Sequence, residues 1–245
     1  MSIGSIRNSR AAGIVLAVLL LAALAVLGLR VNGASGLAAT QLGQAGKAPE
    51  PACPDDCFVF AKVTGFQTTA NGKRALFKIP QDGHLVGWRV KLSKPADDDI
   101  ASLTSDFGDS SASISVLKQK DGNSFKLTKE SPTVNLTSAL GKSPIYTLDK
   151  ALKVKAGTVV ALSSNSWVSD FAQLGDLTDQ GDKWRASRKA DECGDDPAKS
   201  PEENEADLLE SKPHRKVGSI RSYGCTYGMG RILYWAYFVP SGGGK

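Results

Sequence analysis

Val86-Gly-Trp-Arg-Val-Lys-Leu92 alternates cleanly, with Trp88, Val90 and Leu92 pointing one way and Arg89 and Lys91 the other. A period of two with apolar side chains on one side is the pattern of a half-buried strand. The same reading extends outward in both directions. Upstream, Phe58-Val-Phe-Ala-Lys-Val-Thr-Gly-Phe66 is β-type, and Ala75-Leu-Phe-Lys-Ile79 follows an Asn71-Gly72 turn. Downstream, Ile114–Lys118 and Phe125–Thr128 flank Asp121-Gly122, a strong hairpin signal. Further short runs follow at Thr133–Thr137, Ile145–Leu148, Leu152–Lys155, Thr158–Ser163 and Gly218–Tyr223. Arg231-Ile-Leu-Tyr-Trp-Ala-Tyr-Phe-Val239 is almost continuously apolar and reads as a central strand covered on both faces.

Many short strands punctuated by Gly, Pro, Asn and Asp predict an all-β domain, a β-sandwich or jelly roll. Its expected core holds Trp88, Val90, Leu92, Val160, Leu162, Leu233 and Trp235. Only Ala96–Phe107 and Pro201–Leu209 could make short helices.

A second decisive stretch is Ala11-Ala-Gly-Ile-Val-Leu-Ala-Val-Leu-Leu-Leu-Ala-Ala-Leu-Ala-Val-Leu-Gly-Leu29, uncharged and closed by Arg30. At about 1.5 Å per residue it would span most of the roughly 30 Å hydrocarbon core of a bilayer. Arg7 and Arg10 precede it, which predicts an inside N-terminus and an exterior domain. A cleaved signal, cut after Gly36 or Ala39, is the alternative. The expected plan is therefore a cytoplasmic segment 1–10, an anchor or signal 11–30 and a flexible linker 31–51. An extracytoplasmic β-domain 52–240 follows, with a polar excursion at 194–217, and then a tail at 241–245. The expected location is the cell membrane, single-pass, or the exterior if the segment is cleaved. The membrane would be a partner through that helix, with a cell-envelope glycan or protein as a further one.

The chain carries 30 basic and 25 acidic side chains, net +5. Setting aside Arg7, Arg10 and Arg30 leaves 27 against 25, so the high charge belongs largely to the N-terminal segment. Such a mixed surface gives no electrostatic reason to expect a nucleic-acid partner.

The four cysteines are Cys53, Cys57, Cys193 and Cys225, which allow three pairings. The tight Cys53-Pro-Asp-Asp-Cys57 loop favours a local bridge, leaving Cys193 with Cys225. A zinc site would need two close pairs and has only one.

Candidate chemistry is sparse. His84 and His214 read as exposed loop histidines, and no nucleophile elbow accompanies them. Asp97-Asp98-Asp99, with Asp106 and Asp109 nearby, could offer oxygen ligands to calcium, but also suit a helix N-terminus. No cofactor or metal is expected. Trp88 and Trp235 lie in strong strand patterns, whereas Trp167 and Trp184 bracket a polar loop. The surface around Trp167, Trp184, Arg185 and Arg188 is the expected binding site, a stacking platform beside two guanidiniums.

Leu148-Asp-Lys-Ala-Leu-Lys-Val-Lys-Ala-Gly-Thr-Val-Val-Ala-Leu162 resembles a late hairpin of extracellular jelly-roll modules. The plan as a whole resembles uncharacterised exported, membrane-anchored β-sandwich proteins of high-GC Gram-positive bacteria. The anchor, the Cys53/Cys57 pair, Ser131–Thr137 and Tyr223-Gly-Cys225 carry that resemblance. It implies a fold and no activity. The function expected is a non-catalytic exterior domain with an unassigned ligand. A carbohydrate-binding module is the alternative, and an unrecognised hydrolase the less supported one.

Overall fold

A computed structural model describes residues 38–53, 57–173, 181–194, 200, 203, 210–228 and 230–242. In chain order the strands are β1 (Thr40–Leu42), β2 (Phe60–Ala70), β3 (Lys73–Arg74), β4 (Gly83–Val90), β5 (Ser111–Gln119), β6 (Ser124–Glu130), β7 (Val134–Asn135) and β8 (Ile145–Val154). They continue as β9 (Val159–Val168), β10 (Phe171–Gln173), β11 (Lys183–Ala186), β12 (Ile220–Ser222), β13 (Cys225–Gly228), β14 (Gly230–Ile232) and β15 (Tyr234–Pro240). A helix, α1 (Asp97–Phe107), separates β4 from β5.

The strands do not divide into the two comparable sheets of a jelly roll. One antiparallel sheet runs β12-β6-β5-β9-β2-β11-β13, with β3 and β7 paired to its side, and forms an open half-barrel. A second sheet runs β1-β15-β4-β8, and β10 pairs with β14. The physical reason lies in the irregularities of the large sheet. Register shifts interrupt β2–β9 between Ala61 and Val63 and β11–β2 between Lys183 and Trp184. Lys62 sits at the first with φ 44°. Bulges of this kind bend a strand and increase its twist, so one long sheet curls on itself.

The membrane expectation is corrected as well. The segment 11–30 lies outside the described residues, and among those described no helix is long and apolar enough to cross a membrane. Helix α1 is internal, has 11 residues and opens on Asp97, Asp98 and Asp99. At about 1.5 Å per residue that is about half of a hydrocarbon core. The single-pass topology, the anchor or signal segment, the membrane partner and the cell-membrane location all rested on such a helix and are not supported. The resemblance to membrane-anchored β-sandwich proteins falls with them. What stands is a β-sheet-rich domain with two disulfides, Cys53–Cys57 and Cys193–Cys225.

The main core lies between the two sheets. β4 contributes Leu85, Trp88 and Val90, and β15 contributes Tyr234, Ala236 and Phe238. These meet Ile114, Val116, Val160, Leu162 and Val168 of the large sheet. Tyr234 stacks on Phe77 at 4.1 Å and donates its hydroxyl to Val160 O. Leu233 and Trp235, also buried, pack with Ala172 in a separate cluster. The opposite face of the large sheet buries Phe66, Leu117, Phe125, Leu127, Ala161 and Tyr223.

Two turns follow directly from the sequence. Asp121-Gly122 closes the β5–β6 hairpin, Gly122 taking φ 56° and Ser124 N–H donating to Asp121 O. Gly157, at φ 78°, turns edge strand β8 into β9. The two runs expected at 145–148 and 152–155 are one strand, β8. It ends the four-stranded sheet, and its exposed Lys150 and Lys153 guard that edge against further pairing. The stretch read as linker supplies β1, whose Thr40, Gln41 and Leu42 pair with Phe238, Tyr237 and Ala236. The helix expected at 201–209 lies outside the described residues except Glu203.

Candidate functional site

The four residues of the expected surface platform are not gathered on one surface: Trp167 and Arg185 part from the other two. Trp167 is wholly buried, and its indole N–H donates to Gly108 O at 2.9 Å, tying β9 to the end of α1. Arg185 faces away from Trp184 along β11 and donates to Asn123 Oδ1 at 2.7 Å. Trp184 and Arg188 do come together, in a recess.

The recess is built where β2, β10, β11 and β13 converge. Trp184 lies opposite Tyr227 in the β11–β13 register and opposite Gln67 in β11–β2. Alternation along Lys183-Trp-Arg-Ala186 sends Trp184 and Ala186 to the core side. Trp184 stacks on Tyr227 with ring centres 4.6 Å apart and planes at 28°. Phe171 of β10 meets the indole edge-on at 6.0 Å, and Phe60 of β2 lies 5.7 Å away. Phe58, about half exposed, forms the rim 6.4 Å from Phe171. Together these walls enclose about 240 Å³.

Arg188 brings the charge to this recess. It follows β11 by two residues and retains only 8% of its exposure. Nη1 donates to the Tyr227 hydroxyl at 2.9 Å and Nη2 to Ser211 Oγ at 3.2 Å, while the guanidinium sits 5.8 Å from the Tyr227 ring centre. Nε is buried and without a hydrogen bond, as is Trp184 Nε1. Arg188 forms no ion pair with a carboxylate among the described residues. A buried charge without a counter-charge is costly, so this is a place where an anion would be stabilised.

The disulfide supports the same wall. Cys225 of β13 is bonded to Cys193, whose carbonyl accepts the Tyr227 hydroxyl at 2.9 Å. The order of contacts is therefore disulfide, Cys193 O, Tyr227 Oη, Arg188. Phe58, Phe60 and Phe171 are new to the site, and Tyr227, one of several aromatics the sequence offers for stacking, joins it here.

The histidine expected in an exposed loop is buried. His214 N–H donates to Thr64 Oγ1 at 2.8 Å, Nδ1 lies 3.2 Å from the Tyr223 hydroxyl, and Nε2 lies 3.0 Å from Ser219 Oγ. Burial holds the imidazole below its ordinary pKa and pushes the Tyr223 phenol up. The Ser219 hydroxyl donates to Lys216 O at 2.7 Å, and Thr64 Oγ1 pairs with Ser163 Oγ at 2.7 Å. This cluster fastens the chain around 211–223 to the large sheet. Asp97, Asp98 and Asp99 fill the first turn of α1, where negative charge suits the helix N-terminus. Asp109 instead accepts a hydrogen bond from Asn135. His84 pairs across strands with Lys153 and Val239.

No family model, no curated protein and no solved structure matches this chain.

Proposed function

We propose that the chain is a non-catalytic binding domain whose ligand seats an apolar, flat group in the recess between Trp184, Tyr227, Phe171 and Phe60. The observation that carries this reading is the convergence of four aromatic side chains from four strands around an open volume with one buried cation on its wall. Largely apolar concavities with few, placed polar groups are the usual form of small-ligand sites. Several polar groups elsewhere are committed to structure: His214 and Ser219 hold the 211–223 segment, and Asp182 is paired with Arg231. Two disulfides support a working environment that is oxidising. A sugar fits the recess less well than an apolar ring, because the hydroxyls it buried would meet mostly hydrocarbon.

The test is a fragment screen on the full-length chain by saturation-transfer NMR, followed by titration of tryptophan fluorescence. Flat apolar fragments should bind and quench the indole signal. Phe58→Ser, a rim change on a half-exposed side chain, should weaken them without altering the fold. Fragments that bind the domain equally well after Phe58→Ser and leave the fluorescence unchanged would place the site elsewhere.

A further inference from the structure

Resting on that reading, we infer that the ligand is a small aromatic carboxylate whose acid group ends on Arg188. The recess is uncharged on every wall except the one Arg188 forms, so the guanidinium sets both the sign and the position of the polar end. Two of its five donors go to Tyr227 and Ser211, and Nε has no partner. One N–H on each of Nη1 and Nη2 is left over, and these are the donors that would meet the carboxylate oxygens, since Nε has no exposed surface.

The body of the ligand follows from the walls and the volume. Trp184 and Tyr227 present a near-parallel pair, with Phe171 set edge-on at 71°. A flat ring meets such walls with offset-stacked and edge contacts, which exceed what area alone contributes. A volume of about 240 Å³ is the share of about eight waters at about 30 Å³ each, enough for one or two fused rings and a carboxylate. Longer or branched ligands would have to leave through the Phe58 rim. Because Tyr227 is held by Cys193 O, the guanidinium is fixed before the ligand arrives, and little ordering is left to oppose binding.

The experiment compares 2-naphthoate with its neutral isostere 2-naphthamide on the full-length protein, by calorimetry and NMR. The acid is expected to bind at least about tenfold tighter, the effect of a charge-assisted hydrogen bond. Arg188→Met should abolish the difference, and Arg188→Lys should keep part of it. Far-ultraviolet circular dichroism and thermal midpoints establish that each variant is folded; if Arg188→Met does not fold, the acid–amide difference in the unaltered protein and in Arg188→Lys decides. Equal affinity for acid and amide would overturn the carboxylate inference while the binding-domain reading stood. A preference for the acid that survives Arg188→Met in a folded protein would overturn the role of Arg188. Failure of both probes, with flat apolar fragments still binding, would overturn the ligand class alone. Failure of every flat fragment would remove the reading beneath it.

Discussion

Asp170 provides a sharp test of the packing. It joins β9 to β10, is wholly buried, and neither carboxylate oxygen has a hydrogen-bond partner. Burial pushes its pKa well above the carboxylate range. In the unfolded chain the same group titrates near about 3.9. Between that value and the raised folded one, the native state holds a proton that the unfolded state has lost. Stability therefore rises as pH falls through that window, by about 1.4 kcal/mol per pH unit for one proton, and flattens below about pH 4. Glu130, also raised by burial, acts in the same direction. His214 acts oppositely: below about pH 6.5 the unfolded chain gains a proton that the buried imidazole resists, so stability falls there. Asp82, exposed and held low by Lys155, loses its contribution as pH falls through its folded pKa. Asp170→Asn keeps shape and polarity but cannot titrate, so it isolates one of these slopes. Urea unfolding of both proteins from about pH 7.5 to about pH 4.5 should give curves that converge or cross. The unaltered protein should gain about 1.4 kcal/mol on the variant per unit within the window. Parallel curves across that range would refute the placement of Asp170 in the apolar interior.

Two further outcomes follow from buried contacts. Asp182→Ala strips the carboxylate from Arg231, 2.6 Å away and almost fully buried, and from the Asn71 N–H; denaturant unfolding should show a loss of about 3–5 kcal/mol, the usual effect of orphaning one member of a buried pair, whereas a loss under about 1 kcal/mol would mean the pair is solvated like a surface one. Replacing Cys193 and Cys225 together by Ser opens a bridge of sequence separation 32 and should cost about 3.7 kcal/mol by loop entropy. Under the binding reading, the same change should also weaken a recess ligand by freeing Tyr227 and Arg188, and unchanged affinity in the folded variant would break the proposed line of contacts.

Local pattern was legible where neighbours in sequence decide the outcome. The alternation around Trp88 appears as β4, with Trp88 and Val90 in the core, and the register shift near Gly87 explains why the buried set changes phase there. Asp121-Gly122 and Gly157 turn the chain as their types require. What stayed hidden depends on distant partners. β1 was lost in a Gly- and Ala-rich stretch because three residues with one large apolar side chain, Leu42, become a strand only when β15 offers its edge. His214 and Trp167 have polar sequence neighbours, yet both are covered by chain from elsewhere: Thr64 accepts the His214 backbone N–H, the Tyr223 hydroxyl meets the imidazole, and Gly108 caps the indole. Sheet order has the same character, since β2 pairs with β9 and β11 across about a hundred residues or more, and no local spacing encodes that choice.

The recess shows how far such reading could have gone. Trp184 and Arg188 stood out together because they are four residues apart, but strand alternation alone would put them on one face only while the strand lasts. β11 ends at Ala186, so Arg188 owes its position to the chain beyond, and the Cys193–Cys225 bond supplies the constraint. That bond could have been followed one step further in sequence. A bridge from Cys193, five residues after Arg188, to Cys225, two before Tyr227, limits how far the phenol can lie from the guanidinium. The structure adds the hydroxyl bond that completes this geometry. Phe58, Phe60 and Phe171 carried no comparable link to Trp184. They reach it only because β2 pairs with β11 and because β14, joined to β13 in sequence, pairs with β10. Covalent connectivity thus narrows where the charged end of the site can lie, while its aromatic walls exist only once the sheets are assembled.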